Sequence, residues 1–255
     1  MKTVILCGGK GTRISEETTV KPKPMVSIGD KPILWHIMNH YASYGQTDFV
    51  CALGYMGDYI KNYFHSFYTL NSDFTINLSS GNISYHSEPQ KKWNVSLIDT
   101  GAESMTGGRL WRLRDFLKNS GTFMLTYGDG LADINVEELI KFHKSHGKIA
   151  TVTAVRPPAR FGEMRFEGNM VTNFAEKPQT SDGWINGGFF VFETKIFDYL
   201  HNEETILERD PLENLVKDQQ LMSFKHNGFW QCMDTLRDKN YLNEIWESGK
   251  APWRA

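Results

Sequence analysis

Cys7-Gly8-Gly9-Lys10-Gly11-Thr12-Arg13, with Lys21-Pro22-Lys23-Pro24-Met25 close behind, sets three glycines among lysines and an arginine. Residues 2–7 read as a buried strand. The glycines that follow free backbone N–H groups to face an anion with no side chain in the way. With cations on both sides, phosphate is the natural guest, and the spacing predicts a nucleoside triphosphate site. Neither of two commoner glycine loops fits. A Walker loop needs its lysine directly before Ser or Thr, and here Gly11 separates Lys10 from Thr12. The dinucleotide fingerprint needs a third glycine where this chain has Ile14. The remaining alternative is a strand-to-loop connection whose glycines serve turn geometry alone.

Two carboxylates stand out further along. Asp129 follows a strand and is flanked by Gly128 and Gly130; it suits presentation to a cation, or a plain Asp-Gly turn. Asp234 precedes Thr235 and a helix, so it is a metal ligand or a helix-capping acid. Magnesium favours a few carboxylates together with phosphate oxygens and water, which two separated aspartates on one triphosphate would supply. Thr100-Gly101 and Ser104-Met105-Thr106-Gly107-Gly108-Arg109 form a small polar stretch before a helix. It reads as a cap or as a loop holding a base. Arg109 has donors and no acceptor, so it could address a base carbonyl or a phosphate. Selection of an exocyclic amino group must then fall to another acceptor, such as a backbone carbonyl.

The pattern G-G-x-G-T-R followed by K-P-K-P-M resembles the signature of the sugar-1-phosphate nucleotidylyltransferases. The residues 104–109 loop, Tyr127-Gly128-Asp129-Gly130, Glu176-Lys177-Pro178, Asn186-Gly187-Gly188-Phe189-Phe190 and Trp230-Gln231-Cys232-Met233-Asp234-Thr235 are similar to that family's later motifs, in the same order. The likeness runs from Met1 to about Trp253, and within the family it is nearest to the cytidylyltransferases that act on glucose 1-phosphate in deoxysugar synthesis. Where that subfamily usually carries proline, this chain has Cys232.

The resemblance implies CTP and α-D-glucose 1-phosphate as substrates and Mg2+ as cofactor, held by Asp129 and Asp234. It implies nucleotide contacts at Leu6, Cys7, Gly8, Gly9, Lys10, Gly11, Thr12, Arg13, Lys23, Ser104, Arg109 and Gly128. Glu176 would accept from sugar hydroxyls and Lys177 would meet the sugar phosphate, where sequence alone would dismiss the pair as an exposed ion pair. Asn186 and Gly187 would let the sugar ring approach the backbone. Arg13, Lys23, Asp129 and Asp234 form the expected catalytic set, and the family points to a homo-oligomer, a hexamer.

The elements that must position these groups alternate at first. Residues 3–7, 49–52 and 74–78 read as strands and 33–44 and 59–67 as helices, which predicts βαβ units and a mainly parallel sheet flanked by helices. Residues 110–117 read as a helix, 123–127 as a buried strand, and 136–146 as a helix capped by Asn135. Such sheets bind ligands beyond the carboxyl ends of their strands, where Gly8 and Asp129 fall. After residues 149–155 the strands shorten, at 164–166, 171–174, 187–192 and 222–225. This predicts a smaller mixed β lobe for the sugar, with an amphipathic helix over 235–247 closing the chain. Residues 81–98, with Tyr85, His86, Lys91, Lys92 and Trp93, read as a hairpin-like excursion with no core partner of its own. The expectation is one domain over 1–255, with 1–148 mainly for the nucleotide and 149–255 mainly for the sugar.

Bulk properties bound the reading. The 255 residues carry 28 basic and 30 acidic side chains, so no global field draws nucleic acid or an anionic membrane, and phosphate binding must be local. No apolar run reaches the roughly 20 residues of a membrane span, and Met1-Lys2 lead straight into a strand, so a cytoplasmic location is expected. Cys7, Cys51 and Cys232 lack the spacing of a zinc site or disulfide framework.

The chemistry expected is in-line attack by the sugar phosphate on the α-phosphorus, with pyrophosphate leaving. Two polyanions must be forced together, so catalysis is neutralisation and positioning. Arg13 would serve the triphosphate, Lys23 the reacting phosphoryl group and Lys177 the sugar phosphate. The nucleophile is already anionic and needs no general base; none of the eight histidines lies in a motif. Three alternatives stay open: a uridylyl- or thymidylyltransferase, a non-catalytic nucleotide-sugar-binding protein, and a glycosyltransferase. The last lacks its usual Asp-x-Asp because position 127 is Tyr127.

Overall fold

The computed structural model describes residues 1–87, 91–157, 163–167, 170–175 and 183–254; the side chains of Arg13, Ser15, Glu16 and of residues 163–166 and 173–175 are not described. The chain starts with β1 (Lys2–Leu6), a short α1 (Ser15–Thr18), the small ribbon β2 (Ser27–Ile28) and β3 (Lys31–Pro32), and α2 (Ile33–Ser43). It continues through β4 (Asp48–Leu53), α3 (Gly57–Leu70), the ribbon β5 (Phe74–Ile76) and β6 (Ile83–Tyr85), and β7 (Asn94–Asp99). Then come α4 (Thr106–Arg112), α5 (Arg114–Leu117), β8 (Thr122–Tyr127), β9 (Gly130–Ala132), α6 (Val136–His146) and β10 (Ala150–Val155). The hairpin β11 (Glu163–Glu167) and β12 (Met170–Ala175), β13 (Ile185–Glu193), α7 (Asp210–Lys217), β14 (Leu221–His226), β15 (Trp230–Cys232) and α8 (Leu236–Glu247) complete it.

Seven strands form one sheet in the order β14-β10-β13-β8-β1-β4-β7. All of its pairings are parallel except the two made by β13, which runs against β8 and β10. The strands at the centre bury both faces. On β1, Val4 and Leu6 face a core with Leu110, Leu113, Leu117 and Phe190, while Ile5 and Cys7 face a second core with Ile33, Ile37, Tyr41 and Trp253. Each such side chain withdrawn from water contributes about 1.5–3 kcal/mol, so two-sided burial fixes the register of β1. The α2 residues Ile33, Leu34, Ile37, Met38 and Tyr41 fall on one helical face and supply much of the second core.

Helix ends follow the sequence closely. Asn135 accepts the Glu138 N–H at 3.0 Å to start α6, and Gly147, with φ 64°, ends it. Thr235 and Asp238 form a reciprocal capping box at the start of α8.

Several expectations are corrected. The strand expected at 74–78 is the exposed ribbon β5–β6, outside the main sheet. The excursion at 81–98 ends in β7, the edge strand beside β4. The single helix expected over 110–117 is two short helices that begin earlier, at Thr106. The later strands β10, β13 and β14 are mixed in direction, as expected, and continue the same sheet, because the continuous buried run Gly187–Phe192 of β13 pairs directly with β8. The β11–β12 hairpin and the β9–β15 ribbon stand apart from that sheet. Residues 168–169 lie outside the described residues.

Candidate active site

The parallel strands β1, β4, β7 and β8 deliver their carboxyl-terminal loops to one end of the sheet. Arg109 ties three of those loops together. It is 5% exposed, and its Nη1 donates to Leu53 O (3.1 Å), Thr100 Oγ1 (3.1 Å) and Gly101 O (2.7 Å). Its Nη2 donates to Gly8 O (2.9 Å) and Ala102 O (3.2 Å). Both terminal nitrogens of Arg109, expected from sequence to reach a base carbonyl or phosphate, are engaged by the protein, and the residue lines and shapes the cleft. A Cβ on Gly8 or Gly54 would overlap that guanidinium, which is why glycine stands at both positions.

The rest of the glycine loop lies open. Gly9 has no atom within 4 Å of where a Cβ would stand, and Gly11 turns with φ 63° while its carbonyl accepts from Thr18 Oγ1 at 3.0 Å. Gly8, Gly9, Gly11 and Thr12 line a cleft of about 450 Å³, together with Leu6, Lys23, Ser104, Arg109, Gly128 and Asp129. Of the nucleotide positions expected from sequence, Cys7 and Lys10 do not line the cleft, and Cys7 is wholly buried in the core. Lys10 reaches across to Glu103 at 2.9 Å, an exposed pair at the side of the loop. The Arg13 side chain lies outside what is described.

Three charged groups from distant parts of the chain meet at the floor. Lys23, in the turn Lys23–Met25, places Nζ 2.6 Å from Asp129 Oδ2 and 2.7 Å from Asp234 Oδ1. The small ribbon of β9 and β15 brings the two aspartates together, pairing Gly130 with Cys232, and Met233 N donates to Asp129 O at 2.8 Å. The capping duty considered for Asp234 falls to Thr235 and Asp238, which cap α8. Burial works against the Lys23 ammonium, but the two carboxylates outweigh it and hold the pKa above the usual lysine value. Two carboxylates converging on one positive charge are a donor set suited to a hard divalent cation that takes its other ligands from phosphate and water. Asp129 and Asp234 thus fit the metal role expected of them. Cys232 lies 3.7 Å from Asp234 Oδ2; burial, then the charge of Asp234, pushes its thiol up to about 12. It holds no thiolate for nucleophilic attack near neutrality.

Two residues of the cleft, Glu208 and Tyr127, were missed by sequence reasoning. Glu208 accepts from Thr106 Oγ1 at 2.6 Å and from the Tyr127 hydroxyl. Burial, then the Glu208 charge, raises the Tyr127 pKa, so the phenol stays a donor. Glu208 sits in Ile206-Leu207-Glu208-Arg209-Asp210, which on paper is only a charged helix entry. Ser104, 7% exposed, carries a buried hydroxyl with no partner among the described residues, a donor left for a ligand.

Beyond Tyr127, Asn186 donates from Nδ2 to Tyr127 Oη at 3.2 Å and its Oδ1 accepts Gly188 N–H at 2.8 Å. Gly187 O accepts the indole N–H of Trp230 at 2.8 Å. Glu176 and Lys177, expected at the sugar phosphate, lie outside the described residues.

A larger cavity, about 680 Å³, lies beside α3 and β7 and is lined by Trp35, Phe64, Phe67 and Trp93 among others. It holds none of the converging charges, so the chemistry is assigned to the smaller cleft.

Comparison with known proteins agrees with this geometry. The family model described as nucleotidyl transferase matches residues 2–242. The glucose-1-phosphate cytidylyltransferase of Salmonella typhi is 51% identical over 254 residues, covering 100% of this chain and 99% of that protein. The protein of the same name from Salmonella typhimurium is also 51% identical, with the same coverage. Among solved structures, HddC from Yersinia pseudotuberculosis superposes with a TM-score of 0.70 at 22% identity, covering 96% of this chain and 99% of that one; this likeness concerns the fold.

Proposed function

The chain belongs to the nucleotidyl transferase family, and we propose that it transfers the cytidylyl group of CTP to α-D-glucose 1-phosphate, giving CDP-glucose and pyrophosphate. The observation that carries the catalytic part is the meeting of Lys23, Asp129 and Asp234 beside the open glycine loop.

The triphosphate lies along Gly8, Gly9, Gly11 and Thr12, whose bare backbone receives phosphate oxygens. Ser104 offers its hydroxyl to the base. Arg109 keeps the β1, β4 and β7 loops at fixed separation, so the cradle is in place before the nucleotide arrives. A phosphate oxygen of the sugar attacks the α-phosphorus in line, the bond to the β-phosphate breaks, and pyrophosphate departs. Asp129 and Asp234 would hold Mg2+, which when bound supplies positive charge against the phosphates. Lys23 supplies a second, protein-borne cation at the reacting phosphoryl group. With Arg13 assigned to the triphosphate, and Glu176, Lys177, Asn186 and Gly187 to the sugar phosphate, no proton transfer by histidine is required.

The same reading includes self-association. The β5–β6 ribbon exposes Phe74, Ile76, Ile83 and Tyr85, an apolar face of the kind that a second copy covers, and β7 is an edge strand of the main sheet. A hexamer is proposed, by resemblance. No helix among the described residues is long and apolar enough to cross a membrane, which fits the cytoplasmic location proposed.

The direct test is 31P NMR of the protein with CTP, α-D-glucose 1-phosphate and Mg2+. Paired CDP-glucose and pyrophosphate resonances are expected, and their absence would overturn the assignment.

A further inference from the structure

We infer that Glu208 is a positioning residue that joins the base-side and sugar-side walls of the cleft into one directed hydrogen-bond chain, so that nucleotide and sugar phosphate strengthen each other's binding through it. The inference rests on the assignment of CTP and glucose 1-phosphate to those walls.

The chain of contacts starts in the segment before α7. Glu203 O accepts Met105 N–H and Thr205 O accepts Gly108 N–H, both at 2.9 Å, while Leu207 N donates to Thr106 Oγ1 at 3.0 Å. Residues 203–207 are thereby laced to the 104–109 loop. Contact is so close that a Cβ on Gly108 would overlap the Glu203 carbonyl, which accounts for the Gly107-Gly108 pair. Glu208 stands at the end of this strut, accepting from Thr106 Oγ1 at 2.6 Å and from the Tyr127 hydroxyl. Tyr127 Oη in turn accepts from Asn186 Nδ2 at 3.2 Å, and Asn186 Oδ1 accepts from Gly188 N at 2.8 Å.

A carboxylate only accepts, so it forces both hydroxyls to donate toward it. That choice leaves the Thr106 oxygen to accept from Leu207 and the Tyr127 oxygen to accept from Asn186, and it fixes which way the Asn186 amide faces. An amide at position 208 would accept at one end and donate at the other, and one hydroxyl would have to reverse. A carboxylate near a triphosphate also costs electrostatic energy. Its presence in the cleft is explained if it orders the neutral, hydroxyl-bearing parts of the site.

The test is calorimetric binding of α-D-glucose 1-phosphate to the full chain, with and without Mg2+ and a non-hydrolysable CTP analogue. In the native protein the analogue should tighten sugar-phosphate binding by at least about fivefold. Glu208→Gln should reduce that factor below about twofold while Tm moves by no more than about 3 °C, and Tyr127→Phe, which keeps the carboxylate and removes the linking hydroxyl, should do the same. A native protein with no coupling, or a factor unchanged in both variants, would overturn the inference. If Glu208→Gln does not fold, Tyr127→Phe decides alone. Pyrophosphate release by the native protein is measured in parallel: its failure with CTP would strike the functional assignment, whereas normal release with unaltered coupling would strike only the role of Glu208.

Discussion

Lys23 Nζ lies 2.7 Å from Asp234 Oδ1 across 211 residues of chain, with Asp129 on its other side. Nothing about packing requires this ion cluster at the open end of the sheet. Asp129→Asn and Asp234→Asn should each lower turnover by about 10²–10³-fold or more, the scale seen when one preorganised charge-stabilising group is lost. Each variant leaves Lys23 with one carboxylate and should remain folded. Steady-state pyrophosphate release measured beside thermal melting separates the two effects, and near-native turnover by Asp234→Asn would remove that residue from the metal site.

Arg109 yields a paired prediction. Gly8→Ala drives a Cβ into the guanidinium and should displace it from buried carbonyls, each of which costs about 1–3 kcal/mol when left without a partner. Gly9→Ala, one residue on, meets open space and should leave the melting temperature unchanged. Equal melting of the two variants would contradict the role given to Arg109.

Cys232 gives a third. With its thiol pushed up to about 12, Cys232→Ala should keep turnover within about threefold of native, and iodoacetamide at pH 7.5 should label it slowly. A large loss of activity would restore a nucleophilic role.

Histidine sets the acid limit of stability. Burial lowers the pKa of His36, His40 and His143, against the pull of the Ile28 carbonyl, the Ile134 carbonyl and Glu193 respectively. A base whose folded pKa is depressed binds more protons when unfolded. Its contribution is therefore full above the ordinary value of 6.5 and is lost as pH falls through the folded pKa. The melting temperature should drop between pH 7.5 and pH 5.5, and a rise would contradict the assignment.

The legible parts of this protein were those in which one short segment carries its own signal. The glycine loop after β1, the Asn135 cap and the helix start at Thr235 depend on neighbours in sequence, and the structure places each as the sequence predicts. Asp129 and Asp234 were legible as a pair serving one triphosphate, but the β9–β15 ribbon that brings them together was not. Glu208 was illegible because its partners Thr106 and Tyr127 lie 102 and 81 positions away. Arg109 looked like a ligand contact because sequence shows five donors and cannot show the carbonyls of Gly8, Leu53 and Gly101 that take them. The place of β13 inside the main sheet was illegible for a similar reason. Strand propensity does not reveal that the partner is β8.

The central claim is cytidylyl transfer to glucose 1-phosphate, and it is tested most directly by kcat/KM for pyrophosphate release over CTP, UTP, dTTP, ATP and GTP, each with the 1-phosphates of glucose, galactose and mannose. CTP with α-D-glucose 1-phosphate should exceed every other pair. Equal or greater values with UTP or dTTP would place the chain among transferases of another base, and no release with any pair would make it a nucleotide-sugar-binding protein without turnover.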